Sequence, residues 1–288
     1  MTSRTQTIIS RTSIALLGVS VRGNWAQRVP VAAALLGVAA LASAAGFARA
    51  AVPGGAGARA AERSDETVVL LHGLGRSAAN MLILEWRLEA RGYRVCNVGY
   101  NTRAVRIEDA IEEVYGEIVD CREGDGPLHF VTHSLGGLVM RGLLGSRSIE
   151  RLGRAVMLAP PNGGSEIADR LGELGWLESV MGPLSTQLGT GVDDLPNQLP
   201  IPTIPFGVIA GDQWINPVGP LWLPAPHDGT VSVASTRLRG MQDHIVMPYT
   251  HTFIVTAGPV ASQVDTFLRR GKFGLDAARA SVEGEPLD

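Results

Sequence analysis

Three residues far apart in this chain, a serine, an aspartate and a histidine, each stand on a segment able to deliver them to one place. Ser134 lies in Phe130-Val131-Thr132-His133-Ser134-Leu135-Gly136-Gly137-Leu138. An apolar run from Leu128 to Val131 stops at His133-Ser134, and a helical pattern starts at Leu135, with Leu138, Val139, Leu143 and Leu144 at helix spacing. A serine on a sharp turn between a buried strand and a helix, with glycine two residues on, holds a strained backbone and lifts its Oγ off the sheet end as a nucleophile. That turn also crowds the residues two before and two after the serine. Gly136 suits the crowding, while Thr132 stands where the general pattern has glycine.

A nucleophilic serine needs a base for its proton, an acid to orient the base, and donors for an oxyanion. His72-Gly73-Leu74-Gly75 follows the apolar run Thr67 to Leu71, which brings the N–H of Leu74 to face the turn; the N–H of Leu135 is the second donor. For the acid, Asp228 in Pro226-His227-Asp228-Gly229-Thr230-Val231 is preferred, because the run Val231-Ser232-Val233 pins its turn at the sheet edge. Asp212, in Ala210-Gly211-Asp212 after a strand, is the alternative. Of the six histidines, His72 and His133 belong to the two motifs, His129 lies in a buried strand, and His227 adjoins the acid. His244 precedes the last strand and is expected to orient a loop, whereas His251 follows that strand, where the base belongs. The order Ser134, Asp228, His251 differs from the orders of the two protease folds that share this geometry.

Elements at those positions must form a layered sheet. The pattern predicts strands over Thr67–Leu71, Tyr93–Val98, Leu128–Thr132, Ala155–Leu158, Phe206–Ala210 and Ile245–Met247, and helices over Ser77–Ala90, Ile107–Val119, Leu135 onward and Val260–Arg269. Alternation of this kind means a mostly parallel sheet covered by helices on both faces, with the site at the carboxyl ends of the strands. Leu171 to Pro205 breaks the alternation and reads as a lid or cap insertion whose Trp176, Leu177 and Met181 line a substrate pocket, the alternative being an ordinary packed helix. Trp214 and Trp222 sit in a proline-rich loop leading to the acid, either as an apolar rim or packed against the cleft. Cys96 and Cys121 invite a disulfide in an exported protein. The helix carrying Cys121 runs antiparallel to the strand carrying Cys96, however, which argues for different heights and against the bridge.

The 288 residues are 45% hydrophobic and supply one large core or two small ones. The first 50 hold five arginines and no acid, so the remainder carries 20 basic against 28 acidic residues, which disfavours nucleic acid as a partner. Val29 to Phe47 is apolar, follows Arg22 and Arg28, and ends in Ala48-Arg49-Ala50-Ala51. Residues 1–50 therefore read as an export signal cut after Ala50, with an uncleaved membrane anchor as the alternative. Residues 51–65 read as a flexible linker and 66–272 as the folded domain, followed by a tail over 273–288.

These motifs resemble the α/β-hydrolase superfamily, and within it the lipase-like and esterase branch whose elbow reads Thr-His-Ser-x-Gly-Gly. The resemblance spans about residues 66 to 272, and that branch shares Thr132 in place of glycine. Ala159-Pro160-Pro161-Asn162-Gly163-Gly164-Ser165 and Asp228-Gly229-Thr230-Val231 are similar to it as well. The resemblance implies hydrolysis of soluble or lipid carboxylic esters; no cofactor or metal is expected, and the N-terminal segment places the protein in the periplasm or outside the cell. The resemblance assigns Ser134 as nucleophile, His251 as base and Asp228 as acid, with the N–H groups of Leu74 and Leu135 as oxyanion donors. It leaves open a transient lipid contact. An acyltransferase using the same triad, and a catalytically silent binding protein, are the alternatives.

Overall fold

A strand enclosed between two neighbours and two helical layers needs apolar side chains on both faces, and the run from Thr67 to Leu71 supplies them. The computed structural model describes residues 65–274 apart from 105, 123, 174, 176 and 216–218. In chain order, β1 (Thr67–Leu71) leads through a 3-10 turn (Ala78–Met81) into α1 (Leu82–Glu89). Then come β2 (Arg94–Val98), α2 (Ile107–Cys121), β3 (Leu128–His133), α3 (Leu135–Ser146), β4 (Leu152–Leu158) and α4 (Glu166–Glu173). Short α5 (Leu177–Met181), a 3-10 turn (Pro183–Gln187) and α6 (Leu195–Gln198) precede β5 (Phe206–Gly211). After α7 (Gly219–Trp222) and β6 (Asp243–Met247), a 3-10 turn (Ile254–Thr256) leads into α8 (Gly258–Arg270).

The six strands are all parallel in the order β2-β1-β3-β4-β5-β6. Val69 and Leu71 pack to one side with Ile111, Val114 and Ile118 of α2 and Leu138 and Val139 of α3. Val68 and Leu70 pack to the other with Leu84 and Leu88 of α1 and Val264 and Phe267 of α8. Each such side chain contributes roughly 1.5–3 kcal/mol on burial. The chain winds outward from β1 to β2, then crosses back to β3 and continues the other way. The crevice where the winding reverses, at the carboxyl ends of β1 and β3, is where such sheets bind ligands. His72-Gly73 leaves one of those ends and Ser134 the other.

Two differences from the sequence pattern have simple physical causes. The stretch after Ser77 begins as a 3-10 turn, with the Ser77 N–H donating to Asn80 Oδ1 at 3.1 Å, and becomes α-helical at Leu82. Strands β4 and β6 start earlier than their apolar runs: Leu152 pairs with Leu128 ahead of an irregularity at Gly153-Arg154, and pairing with β5 carries Asp243 and His244 into the ladder. The disulfide corrects a third expectation. Cys96 and Cys121 are bonded, with Cα atoms 6.0 Å apart. Cys96 is only two residues, roughly 7 Å, from the start of β2, so it stands low in the sheet. Its side chain joins the face that α2 covers, beside Ile118 and close to where α2 ends at Cys121. The height difference argued from the antiparallel run is too small to keep them apart.

The insertion between α4 and β5 divides in two. Leu184 and Leu188 are buried in the core beneath α2 and α3, as ordinary packing requires. Short α5 instead reaches toward the loops above the sheet, where an Arg103 guanidinium nitrogen donates to the Ser179 carbonyl at 3.3 Å. No described helix is long and apolar enough to cross a membrane. Residues 1–64 and 275–288, which carry the expectations of an export signal and most of the linker and tail, lie outside the described residues.

Candidate active site

Ser134 joins β3 to α3 with φ 53° and ψ −123°, a conformation that costs a non-glycine residue of order 1–3 kcal/mol. Its surroundings hold it there. The Ser134 N–H donates to Leu158 O at 2.9 Å, extending the β3–β4 ladder past the last strand residue. Gly136 lets α3 close on β1, since a Cβ at that position would stand 2.5 Å from Leu71 O and 2.9 Å from His72 O. Thr132 is buried, with its hydroxyl 3.4 Å from where a Gly137 Cβ would lie, so the crowded turn accommodates it. Among the described residues, no side chain or backbone group hydrogen-bonds the Ser134 hydroxyl.

Asp228 and His251 meet directly. His251 Nδ1 lies 2.7 Å from Asp228 Oδ2, and the His251 backbone N–H donates to the Asp228 carbonyl at 3.0 Å. The other carboxylate oxygen, Oδ1, accepts the N–H groups of Thr230 at 2.9 Å and Val231 at 2.8 Å. With Nδ1–H committed to a carboxylate, Nε2 of His251 is left as the proton-accepting nitrogen. Asp212 takes no part in this arrangement. It stays at the end of β5, and its Oδ1 accepts from Gln213 Nε2 at 3.1 Å.

The remaining histidines serve the frame. His133 Nε2 donates to the His251 carbonyl at 2.9 Å, and the two rings stand 4.8 Å apart, so His133 seats the residue that carries the base. Burial, followed by the neighbouring His251, pushes the His133 imidazole well below the usual histidine range. It therefore stays neutral beside the His251 ring. His244 pairs with the Thr236 hydroxyl at 3.0 Å and holds the loop after Asp228, as its place before β6 suggests. His227 Nδ1 accepts the Gly229 N–H at 3.1 Å inside the same turn. His129 accepts the Arg154 N–H at 2.9 Å, far down β3.

Above β1, the loop His72–Gly75 presses on Ser134: a Cβ on Gly73 would stand 3.1 Å from Ser134 Cβ. Leu74 stands on this loop, and Leu135 is the first residue of α3. Met181, at the end of α5, has its methyl 3.2 Å from where a Gly75 side chain would begin. It thus stands beside the His72–Gly75 loop. Trp176 lies outside the described residues, and so does the side chain of Leu177.

Several supporting contacts carry no signal in the sequence. Tyr100 and Thr102, past the end of β2, bind the His72–Gly75 loop. Ser232 Oγ donates to Glu166 Oε1 at 2.8 Å, and Asn162 Nδ2 to Thr236 O at 2.9 Å, so the loop after β4 and the start of α4 clamp the loop that carries Asp228. Arg141, buried within α3, donates to the carbonyls of Leu199 at 2.6 Å and Pro200 at 3.0 Å, fixing the entry to β5. The partners lie 27 to 74 residues apart in sequence, beyond any local pattern.

Comparison with known proteins places the architecture. The mature lipase of Bacillus licheniformis superposes with a TM-score of 0.55 at 16% identity, over 70% of this chain and 90% of that one. A metagenomic carboxyl esterase gives 0.52 at 20% identity over 70% of each chain. The chain has the α/β-hydrolase fold. A tomato methylketone synthase shares this α/β-hydrolase architecture at a TM-score of 0.50 and 10% identity, over 72% of this chain and 99% of that one. No protein-family model and no curated protein matches the sequence. An α/β-hydrolase fold is common to different chemistries, so the activity has to be argued from the site.

Proposed function

We propose that this α/β-hydrolase cleaves carboxylic esters through an acyl-enzyme on Ser134. The observation that carries the reading is the Asp228 Oδ2 to His251 Nδ1 contact of 2.7 Å, in a chain where, among the described residues, the one serine at positive φ ends the central strand β3. Ser134 Oγ attacks the ester carbonyl carbon as its proton passes to His251 Nε2, and Asp228 stabilises the imidazolium. The N–H groups of Leu74 and Leu135 hold the oxyanion. Collapse breaks the bond to the alcohol oxygen, which leaves with the proton from His251. Water then attacks the acyl group, giving its proton to His251, and Ser134 is released with a free acid.

Several features support a narrower reading. Met181 beside the oxyanion loop suits contact with an acyl chain, and α5 with its neighbours serves as the cap over it. Trp214, Ile215 and Phe253 on loops, and Leu221 on short α7, are exposed in the segments that follow β5 and β6, which suits a substrate with apolar parts and brief contact with a lipid surface. The Cys96–Cys121 bond fits an oxidising compartment, and with the apolar N-terminal stretch it favours export.

The test is labelling of the full chain with a fluorophosphonate and peptide mapping, together with hydrolysis of p-nitrophenyl esters. The expected result is one adduct on Ser134, lost in Ser134→Ala and in His251→Ala, and acid release that outpaces transfer to added alcohols. A folded protein that takes no adduct refutes the mechanism, and faster ester formation than acid release reassigns it as an acyltransferase.

A further inference from the structure

We propose that Tyr100 is a positioning residue for the oxyanion site: through His72 it fixes the peptide plane that points the Leu74 N–H at the reacting oxygen. This rests on the esterase reading of Ser134.

A peptide N–H points opposite to the carbonyl it shares a plane with, so whatever holds Gly73 C=O also aims Leu74 N–H. Two donors hold that carbonyl: the Arg76 N–H at 3.2 Å, and Nδ1 of His72 at 3.1 Å. For Nδ1 to donate, His72 must be the neutral tautomer whose Nε2 carries a lone pair. The Tyr100 N–H points at that Nε2 from 3.4 Å, which suits this tautomer. The Tyr100 ring stacks on the imidazole, with centroids 4.3 Å apart and planes within 16°, and its hydroxyl donates to the His72 carbonyl at 2.5 Å. Tyr100 thus touches His72 through its backbone, its ring and its hydroxyl, and both residues are buried. Burial also pulls the His72 imidazole below the usual histidine range, in keeping with the neutral form. One step along, Thr102 Oγ1 accepts the Gly75 N–H at 3.0 Å, so the segment just after β2 grips the loop at both ends.

Tyr100→Phe removes the hydroxyl and keeps the stack. Losing an oxyanion donor outright costs about 10²–10³ in rate, so loosening one is expected to cost roughly tenfold in kcat/KM, carried by kcat. The discriminating readout is the affinity of a trifluoromethyl ketone, whose adduct with Ser134 bears the same oxyanion: it should weaken by the same factor, while KM stays within about twofold. His72 supplies a second comparison. In His72→Asn the amide nitrogen can replace Nδ1 as donor to Gly73 O, and it should retain at least about tenfold more kcat/KM than His72→Leu. That comparison decides the matter if Tyr100→Phe fails to fold. Tyr100→Phe with wild-type kcat/KM, or with lowered kcat/KM but unchanged ketone affinity, overturns the proposal, as does equal activity of the two His72 variants. Absence of any Ser134 adduct in the wild-type chain is a different failure, since it removes the esterase reading itself.

Discussion

Replacing Asp228 by asparagine separates orientation from mere packing. Oδ1 accepts two backbone N–H groups, from Thr230 and Val231, and Oδ2 alone faces His251 Nδ1. An asparagine amide can keep the two backbone bonds only by placing its oxygen at the Oδ1 position, which turns its NH2 toward His251. Flipping the amide would set NH2 against two buried donors, at about 1–3 kcal/mol for each one left unpaired, or roughly 2–6 kcal/mol in all. The amide therefore stays put, and His251 must switch tautomer, with its proton on Nε2. That nitrogen can no longer take the Ser134 proton. Hydrolysis of p-nitrophenyl butyrate is expected to fall by about 10³–10⁴ in kcat/KM, the size seen for the same change in serine proteases, or roughly 4–5.5 kcal/mol. The melting temperature should stay within a few degrees of wild type. Asp228→Ala should be equally inactive but markedly less stable, because it abandons both backbone donors. Asp212→Asn, whose described side-chain contact is only with Gln213, should leave both quantities unchanged. Asp228→Asn within tenfold of wild type, or Asp212→Asn as damaging as Asp228→Asn, would refute the assignment.

Two further outcomes concern stability. The disulfide joins residues 25 apart, which by chain entropy amounts to ~3.5 kcal/mol; Cys96→Ala with Cys121→Ala, or reduction, should lower the melting temperature by roughly 8 °C, read by calorimetry, with kcat at 25 °C little changed. His244 is pushed down to about 4, by burial first and Arg237 second. Between that value and the unfolded value of about 6.5 the unfolded chain binds the extra proton, so the stability contribution is present above pH 6.5 and lost as pH falls to about 4, some 3 kcal/mol in all. Denaturant titrations of His244→Gln should show a shallower acid slope than wild type; equal slopes would remove His244 as the cause.

Strands enclosed on both sides were legible because nothing but continuous apolar sequence satisfies them, as in Thr67–Leu71 and Phe206–Gly211. The start of β4 was not, since Gly153 and Arg154 stand at an irregularity in its pairing with β3, where the Arg154 N–H donates to the His129 ring, and carry no apolar pattern. At the candidate site, Ser134, Asp228 and His251 each announce themselves through a local turn or strand end. Tyr100 does not, because its hydroxyl and ring act on His72, 28 residues earlier, and that contact exists only once β2 has aligned beside β1. The bridge was misjudged for a related reason: how high Cys96 stands depends on where a five-residue strand begins, and apolar pattern blurs such boundaries.

His251 is tied to Asp228 twice, once through its ring and once through its main chain. A thermal fluctuation that draws the imidazole off the carboxylate while moving its backbone must also part the N–H from the carbonyl, so the two links break as a unit. Such a coupling makes alignment of base and acid nearly all-or-none. The population of competent molecules then follows the opening of this loop pair; because only two hydrogen bonds part in that opening its enthalpy is small, and the competent fraction should taper gradually on warming, before the fold itself melts.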